Sequence, residues 1–156
     1  MSENSYFYAT QIQWAGKRRG DLHAAGLPPL TVSTPPEFKG EAGFWTPEHL
    51  FVAAAESCLM ATFLGIAENS GLSVVSYRSS ACGNLEKLAG IGLRFTAITI
   101  YPIVELENAE YRPRAERVMA KAGKGCLIAN SMALPLRVEP TFVVAAADRA
   151  ISAPAA

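Results

Sequence analysis

The chain is poor in the residues from which metal and phosphate sites are built. It holds two histidines, His23 and His49, and three cysteines, Cys58, Cys82 and Cys126. These are not spaced as a ligand set, and no glycine-rich phosphate loop or serine triad accompanies them, so no metal or cofactor is expected. Charge of one sign is also missing, since 14 Lys and Arg balance 14 Asp and Glu. With no net positive charge and no basic run, nucleic acid is not an expected partner. Met1 to Tyr6 lacks a basic leader, and the first apolar stretch is short and interrupted by polar residues, so a secretory signal is not expected. Three cysteines are too few for a disulfide scaffold. The expected setting is the reducing cytoplasm, where a functional pair is catalytic or redox-active.

What is present is apolar. Half the 156 residues are hydrophobic and 18% are charged, which is the composition of a globular chain with a core. A single domain over residues 1–156 is expected, with a small, Ala-rich tail after about Asp148 that is poorly ordered. The dominant stretch is Trp45 to Gly71, WTPEHLFVAAAESCLMATFLGIAENSG. Thr46 is placed as an N-cap, Pro47 as the first helical residue and Glu48 in the first turn, where the helix dipole favours a carboxylate. Gly71 supplies the stop. Between Leu50 and Ala67 only Glu56 interrupts the apolar run, which predicts a helix covered on most of its faces. The run approaches the length of a membrane span, but Glu56 and the many alanines favour a core helix, and no membrane is expected.

The rest of the chain reads as strands around that helix. Tyr6 to Trp14 is a first strand, and Ala15 to Gly20 a basic turn carrying Arg18 and Arg19. Asp21 to Ala25 is a return strand, and Leu30 to Ser33 a short third one. Leu72 to Leu85 and Ile91 to Val104 alternate apolar with polar residues and form a long antiparallel pair. Pro102 predicts that the second of these frays or lies at an edge. Asn108 to Gly123 is an amphipathic helix, started either by Asn108 as cap or by Pro113. A short segment, Leu127 to Met132, follows Cys126, and Leu134 to Ala145 is the last strand. The order gives an α+β fold, a mostly antiparallel sheet wrapped on a long central helix.

Two cysteines stand where chemistry is plausible. Cys58 is mid-helix in an apolar stretch, and Cys126 follows a Gly-Lys-Gly turn, where unpaired backbone N–H groups favour a thiolate. Cys82, on a strand between Ala81 and Gly83, has no such context, and a buried cysteine otherwise behaves as a small hydrophobe. The string TPEHLFVAAAESC, with Glu48 ten residues before Cys58, together with KGCLIANSMALPLRVEPTF, resembles the OsmC/Ohr family (osmotically inducible protein C and organic hydroperoxide resistance proteins). The resemblance runs from about Tyr6 to Val144.

That resemblance implies an OsmC-like, intertwined homodimer with active sites at the subunit interface. It implies a thiol peroxidase that reduces organic hydroperoxides in oxidative-stress defence, using an external dithiol reductant, for instance of lipoyl type. Cys58 matches the peroxidatic cysteine, Cys126 the resolving one and Glu48 the motif glutamate. Gly16-Lys17-Arg18-Arg19-Gly20 aligns with a Gly-Gly-Arg-type turn and points to Arg18 as the active-site arginine, with Arg19 one residue away. Lys17 stands where a second glycine is usual. A redox-sensing or small-ligand-binding module on the same scaffold, with little peroxidase turnover, is the alternative.

The chemistry asks for this set. A thiolate attacks the O–O bond and becomes a sulfenic acid, which a second thiol condenses to a disulfide. An arginine supplies a charge that does not titrate, and a carboxylate holds it by a bidentate pair. Ten residues of helix separate Glu48 from Cys58 by roughly 15 Å along the axis, beyond a glutamate's reach. Serving one site therefore requires a break in the helix or a Glu48 from the partner subunit.

Overall fold

The computed structural model describes residues 4–145, and the tail after Asp148 lies outside them. The chain divides after Phe51 into two compact units.

The first unit is built on three short antiparallel strands, β1 (Gln11–Trp14), β2 (Arg19–His23) and β3 (Leu30–Ser33), in that order. Only the last four residues of the expected first strand pair. Gln11 stands opposite His23, where β2 ends, so residues before it have no strand beside them. Tyr6, Phe7 and Tyr8 are exposed in consequence. Strand β2 starts earlier than expected, because Arg19 pairs with Ser33 and Gly20 with Val32.

The turn before β2 needs two left-handed residues, and Gly16 (φ 91°) and Lys17 (φ 48°) supply them. Lys17 thus takes the conformation a glycine would take, with a side-chain cost that glycine avoids. Three contacts hold it there. Trp14 Nε1 donates to the Lys17 carbonyl at 2.9 Å, Arg19 N donates to Gly16 O at 3.0 Å, and Lys17 Nζ pairs with Glu41 at 3.1 Å.

Helix α1 (Pro47–Asn69) is unbroken, with its caps where the sequence puts them. Thr46 Oγ1 accepts from the His49 N–H at 3.3 Å. At the other end Leu72 N donates to Ala67 O and Gly71 N to Glu68 O, around a left-handed Gly71 (φ 64°), which is a Schellman closure. The expectation that most faces are covered is corrected. One stripe at i, i+4 spacing (Ala55, Leu59, Phe63, Ala67) is buried, whereas Met60, Ala61 and Leu64 face outward. The helix has the length and hydropathy of a membrane span, with a mean of 1.9, yet only 22% of that window is buried within the chain. One stripe suffices for a single sheet, and the other apolar face is left over.

In the second unit, β4 (Val74–Leu88) and β5 (Gly92–Leu106) form the long antiparallel pair, joined by a tight turn with Gly90 at φ 74°. Tyr77, Ser79, Ala81, Gly83 and Leu85 are half-buried, and the residues alternating with them are exposed. Glu56, the interruption in α1, has its partner here, since Ser79 Oγ donates to Glu56 Oε1 at 2.6 Å. Gly83 is a close-approach position. A Cβ there would lie 2.6 Å from Val52 Cγ2 and 2.8 Å from Phe95 Cε1, so only glycine lets α1 sit this near the strand.

The last strand is split, and it runs parallel to β5. β6 (Leu136–Val138) pairs with Ile98 to Ile100, and β7 (Thr141–Val144) pairs with Ile103 to Leu106. Strand β5 is therefore central, which corrects the reading of Pro102 as a fraying or edge residue. Pro102 pairs with Ser79 on one side and faces the gap between β6 and β7 on the other. A missing N–H is tolerated where the neighbouring strand is itself interrupted.

Helix α2 (Arg112–Gly125) has Pro113 in its first turn, while Asn108 caps the single 3-10 turn Ala109–Tyr111 that precedes it, so both proposed starts are used. Ala115, Val118, Met119 and Ala122 form its buried face. Cys126 then stands at the N-cap position of a one-turn helix, α3 (Leu127–Ser131).

Candidate functional site

The second unit brings Cys58 and Cys126 together. Cys58 is half-buried in the middle of α1, Cys126 is fully buried, and Cys82 is exposed on the outer face of β4. All three are free thiols. Cys126 reaches this position because α2 ends at Gly125 and the chain turns before α3, which aims the Leu127 and Ile128 N–H groups back at the Cys58 sulfur.

The two sulfurs differ in acidity, and the difference has a local cause. Burial works to raise the Cys58 pKa. Hydrogen bonds from the Ile128 N–H, the Cys126 thiol, the Thr62 hydroxyl and the Leu127 N–H outweigh it, so Cys58 lies below the ordinary thiol value. For Cys126 burial again raises the pKa. The Ala129 N–H opposes it, but the neighbouring Cys58 adds to it, so Cys126 lies above the ordinary value. The Ile128 N–H acts on both sulfurs, but a charge on Cys58 disfavours a second one on Cys126 beside it. Of the two, Cys58 is the more readily ionised.

Thr62 is the contributor that sequence reading did not single out. The expectation that the N–H groups after Cys126 favour a thiolate on Cys126 is corrected, because Cys58 is lowered and Cys126 raised. Thr62 sits one helical turn after Cys58, and its Oγ1 donates to the Cys58 carbonyl at 2.8 Å. The available signal was the i, i+4 spacing of a hydroxyl residue after a cysteine. The amides of Leu127 and Ile128 were legible as unpaired N–H groups after Cys126, but not that Cys58 is the sulfur they lower.

Arg18 and Glu48 belong to the first unit. Arg18 is exposed and donates through Nη1 to the Phe38 carbonyl at 2.7 Å. Arg19 is engaged elsewhere: its Nε lies 3.2 Å from Glu41 Oε2, an ion pair whose N–H is not aimed at that oxygen, and its guanidinium stacks 5.6 Å over Phe44. A cleft of about 280 Å³ lined by Ile12, Trp14, Arg18, Arg19, Val32 and Pro47 opens beside them. Glu48 Oε2 is buried with no hydrogen-bond partner among the described residues. A carboxylate oxygen in that state costs about 1–3 kcal/mol, more if charged, until a donor reaches it. Among the described residues no cluster of His, Cys, Asp and Glu is arranged to hold a metal.

Comparison with known proteins places the fold. The family model described as "OsmC-like protein" matches residues 40–141. No curated protein matches the chain. Among solved structures, an OsmC-like protein of unknown function from Vibrio cholerae is 24% identical, with a TM-score of 0.80, over 88% of this chain and 100% of that one. A structure from Legionella pneumophila described as an organic hydroperoxide resistance protein OsmC is 22% identical, with a TM-score of 0.72, over 91% and 100%. An organic hydroperoxide resistance protein from Elizabethkingia anophelis, with thiocyanate bound, is 17% identical, with a TM-score of 0.71, over 91% and 99%.

Proposed function

This chain belongs to the OsmC-like family, and on that footing we propose that it is a cysteine-based peroxidase reducing organic hydroperoxides. The observation that carries the reading is the paired thiols of Cys58 and Cys126 with their opposite shifts in acidity. An attacking sulfur must be a thiolate, and Cys58 is the one of the pair whose ionisation is favoured, with a second thiol beside it to close the disulfide.

The Cys58 thiolate attacks the distal oxygen of ROOH and the O–O bond breaks. Cys58 becomes a sulfenic acid, and RO⁻ leaves to be protonated as ROH. The Cys126 sulfur then attacks Cys58, the S–OH bond breaks, and the Cys126 proton leaves with the hydroxide as water. The resulting disulfide is reduced by thiol–disulfide exchange with an external dithiol, for which a lipoyl-type compound is the proposed class. No bound cofactor is needed for these steps.

Arg18 is the proposed cation of the site, and Glu48 its holder. Arg18 has four donors beyond the one used on Phe38, whereas Arg19 is taken up by Glu41 and Phe44. The unpartnered Glu48 oxygen supports a role in gripping a guanidinium. The unbroken α1 removes the option of a helix break, so the reading requires Glu48 to serve the partner's site in a homodimer. The exposed Met60, Ala61 and Leu64 stripe supports that dimer. The working setting is the reducing cytoplasm.

The test is to mix reduced protein with cumene hydroperoxide and count free thiols, in the wild type and in Cys58→Ser and Cys126→Ser. Loss of two thiols in the wild type, with turnover when dihydrolipoamide is added, supports the peroxidase. No thiol loss in the wild type overturns it. One oxidation without turnover, by any of several dithiols, makes the chain a redox-sensing module instead.

A further inference from the structure

The turn that carries Arg18 is gripped by a single loop of the first unit. Residues 34–41 close on themselves, with Gly40 N donating to Pro35 O at 2.9 Å and Glu41 N to the buried Ser33 Oγ at 3.2 Å. Only glycine fits at position 40, since a Cβ there would run into the Thr34 carbonyl. The closed loop meets the turn along its length. Thr34 N donates to Arg18 O at 3.3 Å, and Phe38 O accepts from Arg18 Nη1 at 2.7 Å. Glu41 reaches the residues on either side, with Oε1 3.1 Å from Lys17 Nζ and Oε2 3.2 Å from Arg19 Nε. We propose that Glu41 is a positioning residue for Arg18: it takes the two flanking cations and leaves Arg18 as the cation of the turn free to serve the active site.

Lys17, Arg18 and Arg19 are adjacent cations, and any carboxylate near the turn is open to all of them. Glu41 commits one oxygen to Lys17 and the other to Arg19. Arg18 has no carboxylate partner among the described residues, and its bond to a neutral carbonyl is the weaker kind. A charged group that arrives at Arg18 therefore has no charged rival to displace. The Arg19 contact carries more of the grip than the exposed Lys17 pair. Arg19 Nε and Glu41 Oε2 are both shielded from water, so their attraction is screened less. Arg19 is fixed further by the Phe44 ring, 5.6 Å from its guanidinium, and by its pairing with Ser33 in β2. With both neighbours tied down, Arg18 has less freedom to lose when it takes up its working geometry.

This proposal deepens the peroxidase reading and rests on its assignment of Arg18, but one arm of its test needs no peroxide. Glu41→Ala removes the carboxylate. Glu41→Gln keeps its shape without its charge, and carries the test if the alanine variant does not fold. Both are made in the full chain, with Arg18 present and in an Arg18→Ala background, and thermal melting confirms that each folds. The first readout is kcat/KM for cumene hydroperoxide with dihydrolipoamide as reductant. A misaimed guanidinium is expected to cost about tenfold when Arg18 is present, and nothing further once Arg18 is alanine. In a protein that turns over peroxide, equal losses in the two backgrounds overturn the proposal, because Glu41 then acts on the fold and not through Arg18. No loss in either background also overturns it.

The second readout is the heteronuclear NOE of the arginine side-chain Nε–H groups, which reports how firmly each guanidinium is held. Loss of the carboxylate is expected to lower the value for Arg19 and for Arg18. An Arg18 value equal to wild type overturns the positioning role, even where Arg19 loosens. A lowered Arg18 value in a protein that ignores cumene hydroperoxide keeps the part of Glu41 while defeating the peroxidase reading.

Discussion

At the scale of single residues, the balance of donors sets which sulfur is the more acidic. Cys58 and Cys126 are both buried to some degree, and burial alone pushes either one up. The α3 amides, Thr62 and the Cys126 thiol act on Cys58, and their sum reverses the direction there only. Because the Cys58 pKa is lowered, its thiolate persists as pH falls through the range where an ordinary thiol is protonated; Cys126 stays a thiol to higher pH. In a Cys82→Ser background, limiting iodoacetamide at neutral pH should label Cys58 before Cys126, read by peptide mass spectrometry, and the reverse order refutes the assignment. Lys17 supplies a second case. Its left-handed backbone carries strain set against an exposed ion pair to Glu41, a contact of at most about 1 kcal/mol. Lys17→Gly should leave stability within about 0.5 kcal/mol of wild type, whereas Lys17→Val should cost about 1–2 kcal/mol in chemical denaturation, because a β-branched residue resists this conformation.

At the scale of elements, the legible features were those with local causes. Thr46, Pro47 and Gly71 bound α1 because capping and closure depend on residues within a turn of each end. Strand β3 also begins and ends where read, since its short apolar run is bracketed by turn residues. Pro102 was misread because its local rule assumes a continuous neighbour, and the neighbour here breaks between β6 and β7. Gly83 was passed over as a flank of Cys82, although its bare α-carbon is what admits Val52 and Phe95. Gly83→Ala should destabilise the fold by about 1–3 kcal/mol through overpacking, measured as a fall in the urea midpoint at unchanged slope. A midpoint equal to wild type would show that the helix can move aside without cost.

For the whole molecule, the apolar surface exceeds what one chain covers. Met60 and Leu64 on α1, and Tyr6, Phe7, Tyr8 and Trp14 in the first unit, are all exposed. Such an excess is consistent with the proposed homodimer, since monomers rarely display large apolar patches. The double variant Met60→Glu and Leu64→Glu should convert a dimer to a monomer or abolish folding, read by sedimentation velocity. A soluble dimer that survives both charges would remove α1 from the interface. Peroxide-driven thiol loss should fall with the dimer, because Glu48 is proposed to act in the partner's site.

The sequence by itself determined the order of the main elements, the ends of α1 and β3, the α+β class and the two cysteine motifs, because caps, periodicity and motif spacing are encoded within a few residues of one another. It also carried the resemblance that named the family. Only the tertiary structure decided that Cys58 meets Cys126 beside the α3 amides and Thr62, that β5 is central with a parallel neighbour, and that α1 buries one stripe rather than its whole surface. Those outcomes depend on which distant residues pack together, and acidity in particular depends on donors that arrive from about seventy positions away. A thiol's neighbours in the chain say where it is, and its neighbours in space set its charge.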